Sequence, residues 1–362
     1  MYTTITASRE AIDNAHRWQA EARRGDDEAP AVTAAQVRAR LPHATERVMA
    51  EGGLYDPELA ALALQQASGD ILEAVHLLRA FRATLPRFAT SVAIDTDRMC
   101  PRRRISAVQK EPAGGQILGP TNDYSHRLLD TDASNAPSGE PPEAEPVALA
   151  GRVSDQLHAD GLLEAPEHQA EDPEPPDLTQ QALRLPAGRA MRLQALARGD
   201  EGFLLGLAYS SQRGTADTRP HLAELRVGDA TVEIVPAELG FAVDIGDMTV
   251  SECETVHRAC GDGDAPPRFT RGYGLAFGRC ERKALVVALV DRALRAEALG
   301  EDATAPACRQ DFALENCDSV PASGFLEHLK LPHYVDFHSA ALTLRDLQRR
   351  AHATPVAEDQ PA

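Results

Sequence analysis

Apolar residues in the first quarter of the chain recur at helical spacing. Leu59, Leu62, Ala63 and Leu64 follow Asp56-Pro57-Glu58, which has the makings of a helix start: a capping Asp, a Pro at the first helical position and an acid in the first turn. Gly69-Asp70 interrupts the pattern. Ile71, Val75, Leu78, Phe81 and Leu85 then repeat three or four apart along one face and predict a second helix. Residues 11–22 predict an earlier helix, and Thr33-Ala34-Ala35-Gln36 has the spacing of a capping box that opens another. Helices with one apolar face need a partner surface, so residues 1–95 read as a helical subdomain.

The period changes further along. Residues 182–209 are helical in pattern, whereas Leu225, Val227, Val232, Ile234, Phe241, Val243 and Ile245 alternate as strands do, with Gly228-Asp229 and Gly246-Asp247 expected as turns. Residues 248–259 are expected to begin a helix. An amphipathic helix is predicted over 281–298 and a final one over 338–350, the latter carrying Leu342, Leu344 and Leu347. The result is an α+β class, with an N-terminal helical subdomain and a C-terminal mixed region holding an antiparallel β-sheet and flanking helices. Residues 96–130 form a glycine-punctuated binding or interface segment, 131–177 a flexible Pro/Glu-rich excursion, and 178–362 a mixed α/β domain with the candidate sites. Two stretches inside the excursion, 131–148 and 165–177, have little to bury.

Composition narrows the function classes. With 43% hydrophobic but 4% aromatic residues, the core must be built mainly from Leu, Val and Ala. The formal charge of −18 opposes general nucleic-acid binding, yet leaves room for a local cationic pocket, since distant charges are screened. No apolar run reaches the ~18 residues of a membrane span, and the first residues lack a secretory pattern, so a cytoplasmic location is expected. Six cysteines without a C-x-x-C read as reduced thiols.

The sharpest chemical candidate is Gly324-Phe325-Leu326-Glu327-His328-Leu329-Lys330-Leu331-Pro332-His333-Tyr334-Val335-Asp336-Phe337. Histidines five apart on one helix diverge by about 140°. Pro332 changes this by ending the helix near Leu331, so that His328 and His333 can approach one ion, with Asp336 as ligand or orienting partner. Hydrogen-bonded surface histidines are the alternative. Two protein ligands leave a four-coordinate zinc incomplete, which points to an interface.

Arg271-Gly272-Tyr273-Gly274 is a second candidate, because glycines free backbone N–H groups for an anion and arginine adds bidentate contacts; a tight turn is the alternative. Arg102-Arg103-Arg104 invites the same choice between an anion contact and a solvated turn. His126 with Asp123 and Tyr124 suits proton transfer or a polar turn. Cys253, His257 and Cys260 are read as packed side chains rather than a zinc site, and Glu51 and Asp56 as acid or base candidates, with Asp56 already explained as a cap. No catalytic residue is assigned.

Several long stretches together resemble the PhnI family of the carbon–phosphorus lyase system. They are VMAEGG at 48–53, ELAALALQQASGD at 58–70, RRISAV at 103–108, GP-x-x-DY-x-HRLLD at 119–130, AYSSQRG at 208–214, VPAELGFAV at 235–243, PPRFTRGYGLAFG at 266–278, ERKALVVALVDRAL at 281–294 and HLKLPHYVDF at 328–337. The resemblance implies a transferase subunit that acts with PhnG, PhnH and PhnL. It would displace the purine of ATP or GTP with methylphosphonate, or another alkylphosphonate, to give α-D-ribose 1-methylphosphonate 5-triphosphate. It further implies nucleosidase activity in isolation and a core complex with two copies each of the G, H, I and J subunits. The iron–sulfur cluster and S-adenosylmethionine belong to PhnJ, which cleaves the C–P bond in a later step. The family's zinc histidines carry over onto His328 and His333, at an interface with PhnJ. Arg271 and Lys330 are the expected anion contacts. A stand-alone purine nucleoside triphosphate nucleosidase and a scaffold that contributes zinc ligands are the competing readings.

Overall fold

A computed structural model describes residues 8–26, 28–129, 131, 151–165, 176–213, 219–258 and 266–353. Helices α1 (Arg9–Arg24), α2 (Ala34–Arg40), α3 (Pro42–Gly52), α4 (Pro57–Gln66) and α5 (Ile71–Ala83) precede the first strand. Then come α6 (Val153–Ala159), α7 (Arg189–Arg198) and α8 (Glu201–Arg213), while α9 (Glu281–Ala293), α10 (Gln310–Asn316), α11 (Ser319–Glu327) and α12 (Tyr334–Ala353) follow the last strand. β1 (Cys100–Ile105), β2 (Pro220–Ile234), β3 (Val243–Arg258) and β4 (Phe269–Phe277) form one antiparallel sheet in that order. The α+β class expected from the pattern is the class observed. None of the helices among the described residues is long and apolar enough to cross a membrane.

Cα packing divides the chain into one unit of Met1–Ala31 with Val320–Ala362 and another of Val32–Ser319. In the larger unit the predicted starts are formed: Thr33 and Gln36 close a capping box, and Asp56 Oδ1 accepts from the Leu59 N–H at 2.9 Å. The apolar face of α5 buries Ala74, Val75 and Leu78 but leaves Phe81 exposed, because Arg79 and Arg82 turn toward the end of α3 instead. Leu85 lies beyond the helix end and is exposed.

Two expectations for the sheet are corrected. Gly228-Asp229 is not a turn: β2 runs through it, with Gly228 opposite Val250 and Pro101. A Cβ on Gly228 would stand 2.2 Å from the Cys100 carbonyl oxygen, so the glycine serves close strand approach. Gly246-Asp247 likewise lies inside β3, and the connection between the strands falls at 235–242. The helix expected over 248–259 is instead the body of β3. The strand shows no apolar/polar alternation because both faces are buried and polar residues point inward, among them Ser251, Glu252, Glu254 and Thr255.

Arg271-Gly272-Tyr273-Gly274, expected as an anion site or a tight turn, lies within β4. Cβ atoms on Gly272 and Gly274 would lie 2.2 and 2.0 Å from the Ala288 and Ala284 carbonyl oxygens, so these glycines let α9 seat directly on the sheet. Leu225, Cys253, Ala284 and Ala288 fill that contact, and Val286, Val287 and Val290 face a second core with Leu196, Leu204 and Leu314. The outer edge of β4 is closed: Phe269 N–H donates to Leu162 O at 2.7 Å, Arg271 N–H to Glu164 at 2.6 Å and Tyr273 N–H to Asp291 at 3.0 Å.

The Pro-rich stretches 131–148 and 165–177 lie outside the described residues except at their margins. Between them α6 covers the far face of the sheet and buries Val153, with Leu163 buried just beyond the helix. In the smaller unit, no described residue of α1 or α12 is buried, nor is any of α11. α12 begins at Tyr334, four residues before the start expected from its leucines.

Candidate functional site: a histidine pair and a buried charge strip

Pro332 separates α11 and a short 3₁₀ turn, His328–Lys330, from α12. His333 immediately precedes α12, and its carbonyl accepts the Phe337 N–H at 2.9 Å. This bend places the His328 and His333 rings edge to face, with centroids 4.8 Å apart. His328 Nδ1 is 3.0 Å from the Phe325 carbonyl and His333 Nε2 is 3.1 Å from the His328 carbonyl. A carbonyl only accepts, so each of these nitrogens carries the proton, leaving His328 Nε2 and His333 Nδ1 with lone pairs. His333 Nδ1 faces Asp336 Oδ2 at 3.6 Å. Two acceptors facing each other are satisfied by a proton or by a cation. The pair offers two imidazole donors, and no group of three or more such side chains able to hold a metal is assembled among the described residues.

The predicted anion contacts fall in different units. Lys330 is exposed and pairs with Glu327, one turn back. Arg271 points to the charged face of the sheet, where its Nη1 lies 3.6 Å from Glu254. The neighbouring glycines are paired with Thr255 and Cys253 of β3, so their N–H groups form no anion cradle. Nor is Arg102-Arg103-Arg104 a solvated turn. Arg103 is buried against Glu281 and Asp123, Arg104 bonds Glu224 at 2.5 Å and the Ala113 carbonyl at 2.6 Å, and Arg102 pairs with Asp229. His126 is exposed.

Cys253 packs under α9, and burial pushes its thiol up; Cys260 lies outside the described residues. His257 bonds Thr255 at 3.1 Å, and burial, then Arg292, depresses its pKa to about 3. Asp56 is a helix cap. Glu51 is buried, accepting from Arg47 Nε at 2.7 Å and from the Glu201 N–H at 3.1 Å, which ties α3 to the start of α8. Its environment is that of a structural joint.

What the pattern of residues concealed is the charge strip across the sheet, on the face opposite α9. Register brings Arg104, Glu224, Arg226, Glu252, Glu254 and Arg271 together, and Arg152 closes over them. Arg226 bonds Glu252 at 2.5 Å and Arg152 lies 3.2 Å from the same carboxylate, which also accepts from the Tyr273 hydroxyl at 2.8 Å. Burial alone would raise Glu252, but Arg226 and Arg152 hold it below the usual carboxylate range. For Glu254 burial wins over Arg271 and Arg152, and its pKa is raised. The alternating charges at 224, 226, 252 and 254 are the available signal in the sequence. Read without a register, they resemble a solvated face.

Fold and site thus define an α+β protein whose sheet carries a buried strip of arginines and glutamates and whose C-terminal helices carry a closely spaced histidine pair. The chain belongs to the family of bacterial phosphonate metabolism proteins (PhnI), whose sequence profile matches residues 1–351. It is 51% identical over 353 residues to the alpha-D-ribose 1-methylphosphonate 5-triphosphate synthase subunit PhnI of Rhizobium meliloti (strain 1021), covering 97% of this chain and 96% of the relative. It is 48% identical to the subunit of the same name from Escherichia coli (strain K12), with 96% and 99% covered. A putative C-P lyase subunit protein, HtxH, of Stutzerimonas stutzeri is 40% identical, with 91% of each chain covered.

Proposed function

We propose that this chain is the subunit of a ribose methylphosphonate triphosphate synthase that, with PhnG, PhnH and PhnL, displaces the purine of ATP or GTP with methylphosphonate. The observation carrying this reading is the near-full-length identity of 51% and 48% to two proteins named as that subunit. In the reaction a phosphonate oxygen attacks C1′ of the ribose as the C1′–N bond breaks. Its electron pair leaves with the purine, which takes up a proton, and the product is α-D-ribose 1-methylphosphonate 5-triphosphate. Catalysis requires alignment of nucleophile and sugar and cations around the triphosphate. Lys330 is a suitable anion contact because it is exposed; Arg271 would first have to exchange Glu254.

His328 through Nε2 and His333 through Nδ1 would hold zinc, with Asp336 beside them, and a partner subunit would complete the coordination. Zinc, when bound, supplies a Lewis-acidic charge for a phosphonate or phosphate oxygen. The incomplete donor set also favours a second reading, in which this chain lends its histidines to an interface with PhnJ, whose iron–sulfur cluster and S-adenosylmethionine serve the later C–P cleavage. Exposure of Phe325, Val335 and Phe337 at 72%, 77% and 74% suits a surface that a partner covers. Incubating the chain with ATP and methylphosphonate, with and without PhnG, PhnH and PhnL, tests the proposal. Ribose 1-methylphosphonate 5-triphosphate is expected only with the partners. Base release without phosphonate transfer under both conditions would instead identify a nucleosidase.

A further inference from the structure

Arg79, Arg82 and Arg198 gather where α3 and α7 end. The helix C-terminus explains part of the cluster, since it concentrates unpaired carbonyls and partial negative charge. Arg79 Nε and Nη2 donate to the Glu51 carbonyl at 3.0 and 2.7 Å, and its Nη1 meets both Asp318 oxygens at 2.7 Å. Arg79 is therefore fully engaged. Arg82 spends one nitrogen on the Gly53 carbonyl, at 3.2 Å.

Arg198 has no such explanation. Its Nε is buried without a hydrogen-bond partner among the described residues, although the residue as a whole is only half-buried. No carboxylate among the described residues forms an ion pair with it or with Arg82: Asp318 is held by Arg79 and Asp177 by Arg87. Gly53 shows how close the two guanidinium groups come. It adopts a left-handed conformation, and a Cβ there would lie 2.9 Å from Arg82 Nη1 and 3.6 Å from Arg198 Nε. Both guanidinium groups thus approach Gly53 on the side where a side chain would otherwise stand. Their proximity is costly, since burial, then Arg79 and Arg82, lowers the Arg198 pKa to about 10, and burial and Arg79 lower that of Arg82. A protein with a formal charge of −18 has carboxylates to spare for neutralising such a pair, yet among the described residues none lies within ion-pair reach, and Asp318 and Asp177 act on Arg198 only from farther off.

We propose that Arg82 and Arg198, braced by Arg79 and brought together beside Gly53, bind a tetrahedral oxyanion of the phosphate type. Planar guanidinium forks match such an anion bidentately, and its charge removes their mutual repulsion. The site lies among α3, α5 and α7 of the larger unit and does not depend on the synthase reading.

Isothermal titration of the full chain with orthophosphate, methylphosphonate and ATP, each against chloride at matched ionic strength, tests the proposal. Saturable one-site binding of at least one of the three is expected, and the tightest ligand identifies the source of the oxyanion. Arg198→Gln is expected to weaken that binding at least about tenfold. Its melting temperature in phosphate-free buffer should equal or exceed the parent's, because a buried repulsion is removed. Absence of saturable binding in the parent overturns the proposal, as does equal affinity in Arg198→Gln. If Arg198→Gln does not fold, Arg198→Lys, which keeps the charge without the fork, is expected to fold and bind more weakly; undiminished binding there also overturns it.

Discussion

Arg226 and Glu252 on the sheet are 7% and 2% exposed in their side chains, whereas Lys330 and Asp336 beside the histidine pair are 75% and 53% exposed. Both regions concentrate ionisable groups, but burial gives them opposite roles. On the sheet Arg226 and Glu252 have been taken out of water, and the cost is offset by the hydrogen bonds that register, Tyr273 and Arg152 provide. Such groups are committed to one another and specify which strands lie side by side. Around the histidines the charges remain hydrated, surface pairs such as Lys330 with Glu327 contribute little, and lone pairs stay available to a ligand. Ionisable residues therefore mark a site only when their partners leave them capacity, which is a property of position rather than of residue type.

The strongest way to break this comparison is Glu252→Leu. Removing the carboxylate takes from Arg226 its buried partner, while Arg152 keeps Asp97 and Glu254, and urea denaturation should show a loss of about 3–5 kcal/mol. A loss under 1 kcal/mol would mean that the strip is wetter than its burial indicates. Next is Gly274→Ala, which drives a methyl into the Ala284 carbonyl and should cost about 1–3 kcal/mol, or more if α9 cannot move; the same denaturation measures it.

His257 sharpens the comparison through pH. Its folded pKa of about 3 lies below the ordinary 6.5, so below pH 6.5 the unfolded chain binds a proton that the folded chain refuses. Its contribution to stability is complete above pH 6.5 and is lost as pH falls toward 3, by up to about 1.4 kcal/mol per pH unit. His257→Gln should flatten the stability slope between pH 7 and pH 5 relative to the parent. The smallest effect on stability is expected for His328→Ala and His333→Ala, within about 0.5 kcal/mol, because neither ring is buried. Each should nevertheless reduce zinc retention by the assembled complex, measured by elemental analysis, and synthase activity by about 100-fold or more. A large stability loss with zinc retained would move the histidines into the same category as the sheet charges.

Local signals read correctly wherever they act through neighbours in sequence. The Thr33 and Asp56 caps, the α5 period through Leu78 and the break at Pro332 all depend on residues within one or two turns, and the structure forms each of them. Gly228, residues 248–259 and Arg271-Gly272-Tyr273-Gly274 misled for one shared reason. Glycine and charge were read as signs of solvent, whereas here glycine admits α9 or an adjacent strand and charge meets its complement across the sheet. By itself the sequence determined the class, most helix starts, the proximity of the two histidines across Pro332 and the family to which the chain belongs. Only the tertiary structure decided which charges are neutralised internally and which remain open, because that depends on strand register and on the approach of α6, α7 and α9 from far along the chain. Desolvation and pairing are set by neighbours in space, and no spacing along the chain encodes them.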